Sequence, residues 1–197
     1  MTSTTTARDR AKAERTDAIV AAASRLFAER GYPGVSLEDI GAAVGVSGPA
    51  VYRHFSGKQA LLGAVLVGVS ERLFTGGSEV SAAAASEQQR MHDLIAFHVD
   101  FALHNAEVIR VQDRDLAHLS PDDRADVRRL QRAYIALWID ALGALRTEST
   151  DALRLRVQAC FGLINSTPHS TRAATRSMTH TASVLAAMAE AAVRADA

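Results

Sequence analysis

Residues 45–61 read GVSGPAVYRHFSGKQAL: Gly45, Ser47, Gly48, Pro49 and Ala50 are small or ring-constrained, and Tyr52, Arg53, His54 and Lys58 follow them. Ser47 is placed to cap a helix whose first turn holds Gly48 and Pro49, where the missing proline N–H costs nothing. Just upstream, Ser36 and Asp39 form a capping-box pattern that opens a short helix over residues 37–44. Gly45 suits the left-handed position that closes it. Two short helices joined by Gly45-Val46-Ser47, with Ile40, Ala43, Val46, Val51 and Phe55 at inward spacings, have the pattern of a helix-turn-helix. On a helical wheel Val51 and Phe55 share the core face, so Pro49 and Arg53 point away from it, with Ala50 and Tyr52 on the flanks. A helix that begins so bare lets its backbone approach a duplex, and its free N–H groups suit a phosphate. Tyr52, His54 and Lys58 are then placed for phosphates, and Arg53 is long enough to read a guanine edge. Spacing alone leaves open a solvated helix pair with no nucleic-acid role.

Outward from this stretch the pattern stays helical. Upstream, a helix is expected over 9–30 with Ile19, Ala22, Ala23, Leu26 and Phe27 on one buried stripe, ending at Gly31 before Pro33. Downstream, Ser56 and Gln59 start a fourth helix near Gly57 that carries Leu61, Leu62, Val65, Leu66 and Val69 and is expected to fade at Gly76-Gly77. A small-residue stretch over 78–86 reads as a joint. Beyond it, Met91, Leu94, Ile95, His98, Phe101 and Ala102 mark an amphipathic helix, and a shorter irregular one covers 106–119. Ser120-Pro121-Asp122-Asp123 stacks a cap, a first-turn proline and two acids ahead of Leu130, Tyr134, Leu137, Trp138, Ala141 and Leu145. Two last helices, about 150–165 and 170–195, are separated by residues 165–168. The fold class is therefore all-α, with about nine helices.

The chain has 197 residues, 48% hydrophobic, enough for one medium domain or a small domain joined to a larger one. Its 22 basic and 22 acidic residues cancel, so any affinity for DNA must be local to one face. The lone Cys160 excludes an internal disulfide framework and reads as a small buried apolar group. Residues 1–17 lack the apolar core of a secretory signal, and the longest apolar run, 60–69, is short of the roughly 20 residues that span a bilayer. A cytoplasmic protein with no membrane role is expected. Nothing in the sequence has the pattern G-x-S-x-G, a P-loop, G-x-G-x-x-G or H-E-x-x-H, so no enzyme and no cofactor are expected. His92, His98 and His104 are six apart and turn about 240° from one another on a helix, which disfavours a shared metal.

The stretch from Ile19 to Val65 resembles the DNA-binding domain of the tetracycline-repressor (TetR) family of bacterial transcription regulators. "LFAERGY", "DIGAAVGVS" and "VYRHFSGKQAL" carry the resemblance. It implies that residues 1–57 form a three-helix DNA-binding domain and that 58–197 form a larger helical domain for ligand binding and dimerisation. It also implies DNA contacts, mostly to phosphates, at Ser36, Ser47, Ala50, Tyr52, His54 and Lys58. Gly48-Pro49-Ala50 replaces the Lys or β-branched residues of many members, which shifts the expected base contact to Arg53. A homodimer built on the last two long helices is implied, gripping a palindromic operator, as is a small-molecule effector that acts on a repressor.

For the effector, Leu94, His98 and Phe101 on one helix, Tyr134 and Trp138 on another and Phe161 on a third supply an apolar lining with a few polar handles. Arg110, Asn165 and His169 lie near helix ends, placed for a polar head group. The expected effector is largely apolar and acyl-like. The alternative, a helical small-molecule or metal-binding module without a DNA role, needs only the C-terminal half and leaves "SGPAVYRHF" unexplained.

Overall fold

The computed structural model describes residues 6–170 and 178–195, with side chains omitted at 167–170. Among the described residues there are nine α-helices and no strand. They are α1 Ala7–Arg30, α2 Leu37–Ala43, α3 Gly48–Val51, α4 Lys58–Ala83, α5 Glu87–His104, α6 Ala106–Asp115, α7 Pro121–Gly143, α8 Thr150–Ser170 and α9 Met178–Arg194, with one 3₁₀ turn at Leu116–His118. The chain divides into two compact units, one holding residues through Gly68 together with Arg110–Ala125, the other Val69–Ile109 and Asp126 onward. The first division falls inside α4.

In the first unit the stripe on α1 is buried as its spacing requires: Ile19, Ala22, Ala23, Leu26 and Phe27 are all in the core, with Val35, Leu37, Ile40, Val51, Leu61 and Leu62. Thr6 and Asp9 form a reciprocal capping box that starts α1 two residues before the expected point. Gly31 ends it at φ 78°, with its N–H on the Phe27 carbonyl. That helix end is closed from α6. Arg114 donates to the Phe27 carbonyl and pairs with Asp115 at 2.9 Å, and the buried Asp115 accepts the Tyr32 N–H at 3.3 Å. Ala43, expected inside, is exposed. The turn packs on Gly41 instead, where a Cβ would stand 2.8 Å from the Val46 carbonyl oxygen.

The second unit buries Leu94, Ile95, Val99, Ala102, Trp138, Ala141, Leu142, Val157, Ile164, Leu185 and Ala189 in one core, with α5, α8 and α9 packed on each other. Here two expected helix boundaries are overturned. The fourth helix does not fade at Gly76-Gly77 but continues to Ala83. These glycines are contact points rather than stops, since a Cβ on Gly76 would lie 2.6 Å from Phe97 Cζ and one on Gly77 2.4 Å from Tyr134 Cε2. Close approach of two neighbours offsets the roughly 1 kcal/mol that each glycine costs inside a helix. Likewise α8 runs past Pro168 to Ser170. The expected start of the last helix near residue 170, and the side chain of His169, lie outside the described residues. By length and composition α4 is apolar enough to cross a bilayer, yet its Leu61, Leu62, Val65, Leu66 and Val69 are buried in protein.

Candidate nucleic-acid interface and ligand site

The head is built by two caps that turn out to differ. Ser36 makes the full box: its Oγ accepts the Asp39 N–H at 3.0 Å and donates to Asp39 Oδ2 at 2.6 Å, while Asp39 also accepts the Ser36 N–H at 2.8 Å. Those bonds from Ser36, helped by nearby Arg30, hold the Asp39 carboxyl below its usual range. Ser47 has the extended backbone of a cap, but its side chain makes no capping bond. The Ala50 N–H that it was expected to serve is taken by the Ser47 carbonyl at 2.9 Å. After α3 the chain continues in tight turns, with Arg53 N–H on Ala50 and His54 N–H on Val51. The recognition segment is thus one α-turn extended by looser ones.

Ser47, Pro49, Tyr52 and Arg53 are exposed, Tyr52 by 56%, and Ala50 is half-buried. Gly48 is buried, and a Cβ there would stand 3.0 Å from Oε1 of the exposed Glu38 side chain. His54 Nδ1 lies 2.9 Å from Thr16 Oγ1, which ties the end of the segment to α1. Lys58 Nζ donates to the Tyr32 carbonyl at 2.9 Å and sits 4.4 Å over the Tyr32 ring. Beside these groups a depression of about 460 Å³ is bordered by Pro33, Ser36, Glu38, Asp39, Tyr52 and Lys58. Exposed Tyr52 and the braced Lys58 border this depression together and present hydrogen-bond donors there, which suits a phosphate backbone, whereas the amino end of α3 offers no free donor, since Pro49 has no N–H and the Ala50 N–H is bonded.

In the second unit the expected ligand residues converge, with one exception. His98 stacks on Phe161 at 4.4 Å between centroids, and Trp138 meets Phe161 edge-on at 4.8 Å. Tyr134 lies 5.7 Å from His98, with its hydroxyl 3.2 Å from His98 Nδ1, and Phe101 completes the stack at 6.4 Å. Leu94 is buried in the same core. Burial pushes His98 down to about 4, the Asn165 side chain acting weakly in the other direction, so His98 is neutral near pH 7. Burial also raises the Tyr134 hydroxyl and pushes the Cys160 thiol up to about 12. Three polar atoms here, His98 Nε2, Trp138 Nε1 and Asn165 Oδ1, are buried without a well-formed hydrogen bond, although the Asn165 side chain lies close enough to act on His98 and Trp138 close enough to act on the Tyr134 hydroxyl. Arg110 is not brought to this group: it is exposed and belongs to the first compact unit. Sequence reasoning missed Phe97, Gly76 and Gly77, which set how closely α4, α5 and α7 approach; the paired glycines were the available signal. His92 pairs with Glu190 and His104 with Asp100, and among the described residues no three metal-ligating side chains cluster.

Residues 19–65 match the profile described as bacterial regulatory proteins of the tetR family, and residues 84–169 match the tetracyclin repressor-like C-terminal domain. The chain belongs to the TetR family of bacterial transcription regulators. It is accordingly a DNA-binding, ligand-responsive homodimeric regulator and not an enzyme. The chain is 28% identical over 151 residues to the HTH-type transcriptional activator FasR of Mycolicibacterium smegmatis, covering 77% of this chain and 68% of that one. A crystal structure of a TetR-family regulator from Bordetella parapertussis superposes with a TM-score of 0.79 at 24% identity, over 89% of this chain and 93% of that one. The ketosteroid transcriptional regulator KstR2 of Mycobacterium tuberculosis gives 0.78 at 17% identity, over 89% and 92%.

Proposed function

We propose that this chain is a cytoplasmic repressor that grips a palindromic operator as a homodimer and lets go when a largely apolar effector occupies the aromatic core of the second unit. Residues 1–57 carry the DNA contacts: Arg53 reads a base, while Ser36, Ser47, Tyr52, His54 and Lys58 hold phosphates and Gly48, Pro49 and Ala50 let the backbone approach. Residues 58–197 carry the effector and the dimer contact. The observation that carries the effector reading is the set of buried, unpartnered atoms of His98, Trp138 and Asn165 within an aromatic stack. Unpaired polar groups in such a place destabilise the empty core, and a ligand that supplies their partners binds the form that contains them. An acyl thioester and a ketosteroid both have the required make-up, long apolar bodies with one or two hydrogen-bonding groups; the name of KstR2 favours the second. The dimer reading is supported by Leu155 on α8 and Val184 and Met188 on α9, large apolar side chains that are 66%, 42% and 49% exposed in the single chain.

The test is a titration of the protein against a fluorescent duplex from its own upstream DNA. Binding as a dimer is expected, and Arg53→Ala should cost about 1–3 kcal/mol at one base position and relax the preference there. An equal loss on every sequence would reduce Arg53 to a phosphate contact. Adding a long-chain acyl thioester or a ketosteroid should quench Trp138, the only tryptophan in the chain, and release the duplex. A reporter that falls rather than rises when the gene is deleted would make the protein an activator.

A further inference from the structure

The amino-terminal half of α1 segregates its charges. At about 100° per residue, Arg8, Lys12 and Arg15 fall within about 60° of arc, on the same side as buried Ile19, whereas Arg10, Glu14 and Asp17 lie opposite. The cationic side is the one turned toward the helix-turn-helix: Arg15 Nη1 lies 3.4 Å from the Val44 carbonyl at the end of α2, and Thr16 holds His54. Arg8 and Lys12 are exposed; Arg8 makes no ion pair among the described residues, and Lys12 is only near Asp9, whose carboxyl it helps hold low. Arg8 also stands in the first turn, at the positive end of the helix, where a cation is unfavourable. The Thr6–Asp9 box keeps that turn helical nonetheless. From Arg15 to Arg8 the helix advances roughly 10 Å beyond its contact with α2.

We propose that Arg8 and Lys12, carried on this capped helix, bind duplex phosphates outside the segment covered by the helix-turn-helix, lengthening the footprint without adding sequence preference. The inference rests on the DNA-binding reading above. A rigid helical stripe distinguishes it from a loose basic arm, because only the cations on the Ile19 side contribute. Arg10, on the far side, does not.

The experiment uses the full chain and two fluorescent duplexes, the footprinted upstream site and the same site extended by a half-turn of unrelated sequence at each end. Wild-type protein is expected to bind the longer duplex more tightly, and the gain should vanish as salt rises. Arg8→Gln with Lys12→Gln should abolish that gain and flatten the dependence of log K on log salt by about 0.9 for each lost contact, or roughly two per protomer. Base preference should not change. Arg10→Gln should keep both the gain and the slope. The melting temperature of the double variant should hold or rise, since a cation leaves the positive helix end; this separates a phosphate contact from a structural role. An unchanged slope in the double variant, or an equal loss in Arg10→Gln, overturns the proposal while tight wild-type binding to the short duplex leaves the regulator reading standing. No wild-type binding to either duplex overturns both.

Discussion

In the first unit the polar side chains that shape the head are paired within it: Ser36 with Asp39, His54 with Thr16, Lys58 with Tyr32, Asp115 with Arg114 and the Tyr32 amide. The aromatic core of the second unit is different, because it buries Trp138 and His98 completely or nearly so while leaving Nε1, Nε2 and the Asn165 carbonyl oxygen unmatched. Burying a polar group without a partner costs roughly 1–3 kcal/mol by mutational measures. In the first unit Arg124 Nε is also buried without a partner, but the side chains around the recognition segment are paired. The second core holds imperfectly met hydrogen-bonding groups inside.

The largest expected effect breaks the second core. Trp138→Ala should cost about 3–5 kcal/mol of stability in a urea melt, since the ring is fully buried among His98, Tyr134 and Phe161. A cost below about 1 kcal/mol would mean that the core already holds slack around the indole.

Next comes pH. His98 is depressed to about 4 when folded, against an ordinary value near 6.5, so the unfolded chain binds more protons between those limits. Stability from this residue is fully present above pH 6.5 and is lost as pH falls toward 4, by roughly 3 kcal/mol in all. His98→Gln should flatten that window in melts taken from pH 7 to pH 4. A wild-type curve already flat there would show that water reaches the ring.

The smallest effect sharpens the contrast between two serines that look alike in sequence. Ser36→Ala should cost about 1 kcal/mol, as loss of a made N-cap does. Ser47→Ala should change stability by only a few tenths, because no side-chain cap is lost, yet it should weaken DNA binding if its hydroxyl meets a phosphate. Equal stability losses would show that Ser47 caps α3 in solution.

Much of the architecture is legible in local pattern. The stripe from Ile19 to Phe27, the box at Ser36, the stacked start signals at Ser120 to Asp123 and the inward faces that carry His98, Tyr134 and Trp138 on their own helices all follow from helical period and cap chemistry. Reading failed where one residue serves two purposes. Glycine is a helix stop by propensity, but at Gly76 and Gly77 it is a contact that Phe97 and Tyr134 require. Ser47 looked like a cap because its backbone is one; its side chain was displaced by a main-chain bond of its own residue. Arg110 lies near a helix end and so read as placed for a polar head group, but it is exposed and α6 carries it in the other compact unit.

What the sequence determined by itself was the set of helices, the face each one buries and the motif that marks the head, since these depend on residues three or four apart along the chain. Only the tertiary structure decided which polar atoms found partners and which were left without, and why particular glycines are small. Those outcomes depend on atoms brought together from distant positions, such as Lys58 with Tyr32 or Gly77 with Tyr134, and no local period encodes them.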